Sequence, residues 1–248
     1  MNPAEFAHIA AAEQTFWWYR GMRRILFRML DPVVRARRID RVLDGGCGTG
    51  YMARLLEQRY GWRLYAVDHG FQGLQFGRAL GLERLAQADV AALPFPSGAF
   101  QAVVSLDVVV HFPRGEESSA FEEFARVLLP RGLLVLRVAA LDALRSRHSE
   151  FIFERQRFTR GRLVRAVERH GFRLVRVTYA NSLLLPVALA KFRLWEPLRR
   201  RPPASGVGGL PGWLDRLLYC PLAWEARWIG AGGSFPLGQS LILMAERR

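Results

Sequence analysis

The residues best placed to do chemistry in this 248-residue chain are three carboxylates and a cluster of glycines. The run VLDGGCGTG, Val42 to Gly50, sets Asp44 two residues ahead of the triplet Gly46, Gly48 and Gly50, with Cys47 inside it. Glycine loses more backbone freedom on folding than any other residue, so such a concentration needs a reason. Close approach of the backbone to a ligand is one, at a place where an apolar strand ends and a helix begins. The spacing is GxGxG rather than the GxGxxG of dinucleotide folds, and the Lys-Ser/Thr of a phosphate loop is missing. Asp68 closes a second apolar run, RLYAVD, and Asp89 a third, LAQAD. Acids at three successive strand ends would stand in one line along a sheet edge, ready to accept hydrogens from a polar ligand.

The elements that must position these groups follow from short apolar runs alternating with helical spacing. Strands are expected at 41–44, 63–68, 85–89, 102–106, 133–138, 172–179 and 240–245. Helices are expected at 51–59, 71–79, 118–129 and 160–170, the last capped by Thr159 and ended by Gly171. This pattern implies a doubly wound, mostly parallel seven-stranded α/β sheet covered on both faces. Ahead of it, Asn2-Pro3-Ala4-Glu5 reads as a capped helix start, Gly21 as a possible interruption, and Asp31-Pro32 as the start of another short helix. Between Asn181 and Gly238 the alternation breaks. Two helix-like stretches flank RRRPPASGVGGLPG and carry Trp195, Trp213, Trp224 and Trp228 among arginines. The expected organisation is a helical lid over 1–38, a core of 39–180 and 238–248, and an inserted helical cap over 181–237.

These motifs together resemble the class I S-adenosylmethionine-dependent methyltransferases, over about residues 40–180 and the last strand. VLDGGCGTG is similar to the family's hhDxGxGxG. QADVAALPFPSGAFQAVVS is similar to its xxDAxxLPF segment, LDVVVHF to the end of its fourth strand, and RVLLPRGLLVL to RVLKPGGxLxh, with Arg131 where the first glycine usually stands. The resemblance implies a Rossmann-like fold and S-adenosyl-L-methionine as co-substrate, leaving S-adenosyl-L-homocysteine as product. It implies that Asp44, Gly46, Cys47, Gly48 and Gly50 form the donor loop. Asp68, with His69 beside it, would hold the ribose hydroxyls and Asp89 and Val90 the adenine, and Leu106 and Asp107 would also be donor-binding. Cys47 serves there as a small packing residue. QTFWWYRGMRR is similar to the aromatic-W-aromatic-R-G-R-R opening of some of these enzymes, which implies Tyr19 against the methionine portion and Arg24, or Arg20 or Arg23, near its carboxylate. His111 is the candidate general base, since a histidine after the fourth strand would face the methyl group. Methyl transfer from a sulfonium can also run on positioning alone.

Composition bears on the acceptor. The formal charge is +14, and of 36 basic residues only Lys191 is a lysine. Such a field favours anionic partners, although an arginine excess this extreme also reads as compositional bias. The turn after the fourth strand, Asp107-Val108-Val109-Val110, lacks the Asn/Asp-Pro-Pro-aromatic signature of base-methylating enzymes, which argues against nucleic acid. The tryptophan-rich cap suits an amphipathic small molecule such as a lipid, quinone, polyketide-like product or lipid-linked sugar, with weak contact to an anionic membrane surface. The alternatives are an RNA- or protein-modifying methyltransferase using the arginine field, and a scaffold that keeps the donor fold without catalysis. Cys47 and Cys220 make neither a disulfide framework nor a metal site. The start has no secretory pattern and no apolar run reaches spanning length, so a cytoplasmic protein is expected, with membrane association as the further option.

Overall fold

The structure is a computed structural model that describes residues 1–199 and 202–248. Its strands are β1 (Arg41–Gly45), β2 (Arg63–Asp68), β3 (Leu85–Gln87), β4 (Phe100–Leu106), β5 (Leu128–Ala139), β6 (Phe172–Ala180) and β7 (Ser240–Arg247). The helices are α1 (Glu5–Ala12), α2 (Trp17–Ala36), α3 (Tyr51–Tyr60), α4 (Phe71–Ala79), α5 (Ser118–Val127), α6 (Arg147–Phe151), α7 (Arg160–Arg169), α8 (Leu185–Leu189), α9 (Glu196–Arg199) and α10 (Gly212–Gly230). The strands form one sheet in the order β3-β2-β1-β4-β5-β7-β6. β1 to β5 pair in parallel, and β7 runs antiparallel between β5 and β6.

Both faces of the sheet are covered. Along β4, Val103 faces a core shared with Phe121 and Phe124 of α5 and Val167 of α7. Its neighbours Ala102 and Val104 face the opposite core, with Ile25 and Met29 of α2 and Leu222 and Ile229 of α10. Side chains alternate across a strand, so a sheet buried on both faces must be apolar at nearly every position, as LLVLRV and AVVSL are.

The amino-terminal segment departs from the sequence reading in three ways. Gly21 interrupts nothing: it is buried inside α2, where a Cβ would lie 2.3 Å from Leu222 Cδ2. Its absence lets α10 pack directly on the α2 backbone. Asp31-Pro32 starts no helix either, because α2 continues through Pro32. Asp31 instead accepts from Arg59 and Tyr60 of α3 at 2.8 Å each. Glu5 does not reach back to cap α1. It is buried and accepts from Ser205 at 3.1 Å.

The 181–237 stretch lies between β6 and β7 and holds α8, a π-helical turn over Ala190–Trp195, α9 and α10. It is anchored from within. Glu225 of α10 is fully buried and accepts the backbone amides of Ser182 and Leu183 at 2.7 and 2.8 Å. Arg131, in the position where glycine was expected, has φ 62°, a left-handed conformation costing a non-glycine residue about 1–2 kcal/mol. Gly132 beside it has no latitude, since a Cβ there would sit 2.8 Å from the Leu129 carbonyl.

The contact between α2 and α10 makes a direct prediction. Gly21→Ala should destabilise the protein by about 1–3 kcal/mol through overpacking. Leu222→Ala in the same chain should recover part of that loss, because it vacates the space the new methyl needs. Urea denaturation of both single variants and the double variant checks this. Additive losses in the double variant would refute the contact.

Candidate active site

The glycine loop is shaped from both sides. The amides of Gly46 and Cys47 both donate to the Val67 carbonyl, at 2.8 and 2.9 Å. Ser105 on β4 donates to the Gly45 carbonyl at 2.7 Å. The three glycines then serve different ends. Gly46 has φ +88° and its Cβ would strike Val108; Gly50 has φ +77° and its Cβ would strike Leu82 and Gly77. Gly48, at φ +58°, is the one of the three with open space where a Cβ would stand, and it lines the cavity beside Gly46.

Asp68 finishes the loop. Its Oδ2 accepts from the Gly48 amide at 2.8 Å and its Oδ1 from the Gly70 amide at 2.7 Å. A carboxylate has about four acceptor sites, so both oxygens retain capacity for a pair of hydroxyls. Asp89 is exposed, and its Oδ1 accepts from Ala91 at 2.9 Å. Val90 is buried beneath Gly45. Asp44, Asp68 and Asp89 lie on or just beyond the adjacent strands β1, β2 and β3, so the line of carboxylates exists, and all three face one cavity of about 1020 Å³. That is at the upper end of the usual span of small-molecule pockets, about 300–1,000 Å³.

Burial, with Asp68 close by, lifts the Asp44 carboxyl from its ordinary 3.8 to about 7. Burial likewise lifts Glu13 to about 7, opposed by a 2.5 Å hydrogen bond from Thr49. Burial and the same two aspartates push the Cys47 thiol up, which suits a packing role rather than a reactive one. His69 lines the cavity at its exposed rim.

The amino-terminal helices form the opposite wall. Tyr19 lines the cavity, and burial pushes its hydroxyl up. Arg24 does not face the cavity: its guanidinium donates to Tyr219 of α10 at 3.0 Å. Arg23 lines the cavity in its place, donating to the Glu13 carbonyl at 3.2 Å with its guanidinium over the Tyr51 ring. The difference is one of helical phase, since neighbouring residues point about 100° apart.

Two further groups were not among the residues read from the sequence. Glu13 is buried between α1 and the glycine loop. Arg137 is a charge inside the apolar strand LLVLRV, a placement that demands a partner. It finds Asp107, whose Oδ2 lies 2.8 and 2.7 Å from two of its nitrogens, and its guanidinium lies 4.9 Å from the centre of the Trp18 ring. Asp107 has φ 60° and lines the cavity with Leu106, so strand end, β5 and α2 meet at one ion pair.

His111 lies in a 3-10 turn, Val109–His111, pinned by Gln156, which donates to the carbonyls of Val109 and Phe112 at 3.3 and 3.0 Å. Its Nδ1 is 3.3 Å from the Phe153 carbonyl. Burial pulls the imidazole down to about 4, so it is neutral at ordinary pH. A neutral ring donating from Nδ1 keeps an acceptor lone pair on Nε2. Beyond His111 the cavity continues between Ile152, Leu184, Val187, Ala188 and Phe192. No group of metal-ligating side chains occurs among the described residues.

Residues 43–136 match the methyltransferase-domain family. A demethylmenaquinone methyltransferase from Thermus thermophilus is 40% identical over 132 residues, 48% of this chain and 59% of that one. A probable tRNA methyltransferase 9B from Bos taurus is 32% identical over 110 residues, 44% of this chain and 23% of the relative. The chain therefore spans less than two thirds of these relatives. Among solved structures, the complex between the Haloferax volcanii Trm112 methyltransferase activator and a methyltransferase superposes with a TM-score of 0.61 over 100% of this chain and 98% of that one, at 16% identity. Residues 43–136 thus carry a methyltransferase domain, and the sheet built around them has the class I S-adenosylmethionine-dependent methyltransferase fold.

The cavity fits that donor: bare backbone at Gly48, free acceptor capacity on Asp68 and a buried carboxyl at Asp44. If Asp44 meets the donor's ammonium, it must be ionised to bind. Affinity for S-adenosylmethionine should then fall as pH drops from 8 through about 7, approaching tenfold per unit below that value. Asp44→Asn should flatten this slope and weaken binding at pH 8, measured by calorimetry. The ligand-free fold should behave oppositely: the raised pKa means its stability is lost as pH rises from 3.8 through about 7.

Proposed function

We propose that the chain transfers the methyl group of S-adenosylmethionine to an amphipathic small molecule. The observation that carries this reading is the continuity of one cavity from the acids Asp44, Asp68 and Asp89 to an apolar chamber beyond His111. The acid end suits a cationic nucleoside. The apolar end suits a ring or chain larger than a single polar group, as in a lipid, a quinone, a polyketide-like compound or a lipid-linked sugar. Similarity to a quinone-methylating relative supports the same class.

The bound donor would supply an activated methyl on a sulfonium, so the protein's task is placement. Asp68 and Asp89 hold the nucleoside, Asp44 the amino end, and Tyr19 with Arg23 closes the methionine side. The Asp107–Arg137 pair braces the floor. His111 receives the acceptor's hydroxyl proton on Nε2. A ring held near 4 is a weak base that is always in its base form at neutral pH, which suits an acceptor whose proton is already acidic.

The relatives that act on tRNA keep a second reading in play: the arginine surface could hold RNA. One assay separates the two. Protein is incubated with methyl-labelled S-adenosylmethionine and either a lipid extract or bulk tRNA. Label should enter the organic phase and not the acid-precipitable RNA; the reverse partition overturns the small-molecule reading. With the acceptor in hand, His111→Ala should lower kcat at least about tenfold with little change in donor affinity. The wild-type profile should show no limb near 6.5, since the imidazole titrates near 4.

A further inference from the structure

Helix α10 has two apolar faces. One carries Leu222, Glu225, Ala226 and Ile229, all buried, and packs on α2. The other carries Trp213, Leu217, Trp224 and Trp228, which are 68%, 59%, 51% and 47% exposed. These four recur at intervals of four and seven residues, so they share one stripe about half a turn away from the buried side. Trp224 and Trp228 stack with their planes 8° apart, which presents a flat aromatic plate. Twelve of the sixteen exposed large apolar side chains among the described residues lie between Leu183 and Leu237, so the apolar surface of the molecule is gathered on this cap. A patch so concentrated is abnormal for a surface facing only water.

The charges around it have one sign. Residues 181–237 hold seven basic and three acidic side chains. Each acid is engaged inside the protein: Glu225 is buried, Asp215 pairs with Arg20 at 3.3 Å, and Glu196 accepts from the Arg147 amide at 3.1 Å. Lys191, Arg193, Arg216 and Arg227 are exposed beside the apolar side chains. Arg216 and Arg227 flank the stripe on α10 itself. An isologous pairing of two copies across this face would bring these like charges together, which disfavours a second copy as its cover.

We propose that this face of the cap lies on an anionic lipid bilayer, with its tryptophans at headgroup depth and its arginines on the phosphates. Tryptophan and arginine suit that interface because each joins an apolar body to a polar or charged end. No helix among the described residues is long and apolar enough to cross a membrane, so the contact is peripheral. The cavity also reaches the surface within the same 181–237 segment: Val187, Lys191 and Leu210 line it and are exposed. An amphipathic acceptor entering from the bilayer would come in at that mouth. That last step rests on the acceptor class proposed above; the docking itself does not.

The test is flotation of the full chain with vesicles of phosphatidylcholine, with and without about one third phosphatidylglycerol. Wild type should float with the anionic vesicles, several-fold less at roughly 0.5 M salt, and shift its tryptophan emission to the blue. Trp213→Ser with Leu217→Ser should weaken partition at least about tenfold, since two large apolar groups leave the interface. Arg216→Glu with Arg227→Glu should remove the preference for anionic lipid. Retained calorimetric binding of S-adenosylmethionine shows that these variants are folded. No flotation of wild type, or equal flotation of the Trp213/Leu217 variant, overturns the proposal. So does a concentration-dependent dimer in sedimentation that the same variant dissolves, since the face is then covered by a second copy. Flotation without methyl transfer to any lipid would leave docking standing and remove the acceptor reading alone.

Discussion

Two backbone amides, from Gly48 and Gly70, converge on the carboxylate of Asp68, and the donor side of the molecule is organised around that meeting. Gly48 belongs to the loop after β1 and Gly70 to the turn after β2, so one side chain sets the spacing of two strand-end loops. Charge-assisted bonds of this kind are roughly twice as strong as neutral ones. They also hold a charge at the sheet edge and fix its two remaining acceptor directions. The packing of α4 follows: a Cβ at Gly73 would lie 2.5 Å from the Gly48 carbonyl, so helix and loop are in backbone contact. Asp68 is thus architecture as well as an acceptor facing the cavity, and its removal would distort the loop while deleting that acceptor. An asparagine there, which keeps one carbonyl oxygen, separates these roles better than alanine does.

The second organising contact joins the two segments that flank the core in sequence. α2 and α10 are nearly 200 residues apart, yet Asp215 of α10 accepts the Trp17 amide at 2.7 Å, satisfying one of the orphan donors at the start of α2. Its other oxygen takes Arg20. A carboxylate at that position also meets the positive end of the helix dipole. The cap therefore fixes where α2 begins, and α2 in turn places Trp17, Trp18 and Tyr19 on the cavity wall. The amino-terminal helix α2 and α10 of the 181–237 segment thus form one packed layer.

The sheet was legible because a strand buried on both faces must read as an apolar run, and the donor line because acids at strand ends are rare enough to stand out. The lid was not, for a reason visible in single residues. Gly21 and Pro32 are helix breakers by propensity, worth about 1 and 3 kcal/mol, but both lie inside α2, where tertiary packing overrides them. Gly21 is there for Leu222, a partner 201 positions away that no local pattern reveals. The Arg24 expectation failed on phase alone. Glu13 carried no local signal, since its role appears only when Thr49 folds against it. Arg137 did carry one, a charge in a buried strand, though not the identity of its partner.

The cavity is polarised in a way that net charge conceals. In a chain of +14, its donor end is lined by Asp44, Asp68, Asp89 and Glu13. Its far end is lined by Arg147, Arg157 and Lys191 but also by Glu154 and Glu196, with Arg157 held by Glu154 at 2.6 Å and the Arg147 amide by Glu196 at 3.1 Å. The excess of acids therefore lies at the strand ends. Two of these carboxyls, Asp44 and Glu13, are raised towards neutrality by burial, so the empty site does not bear the full repulsion of adjacent anions. Binding of a cation would ionise them and release protons, and the energy withheld from the empty fold would reappear as affinity.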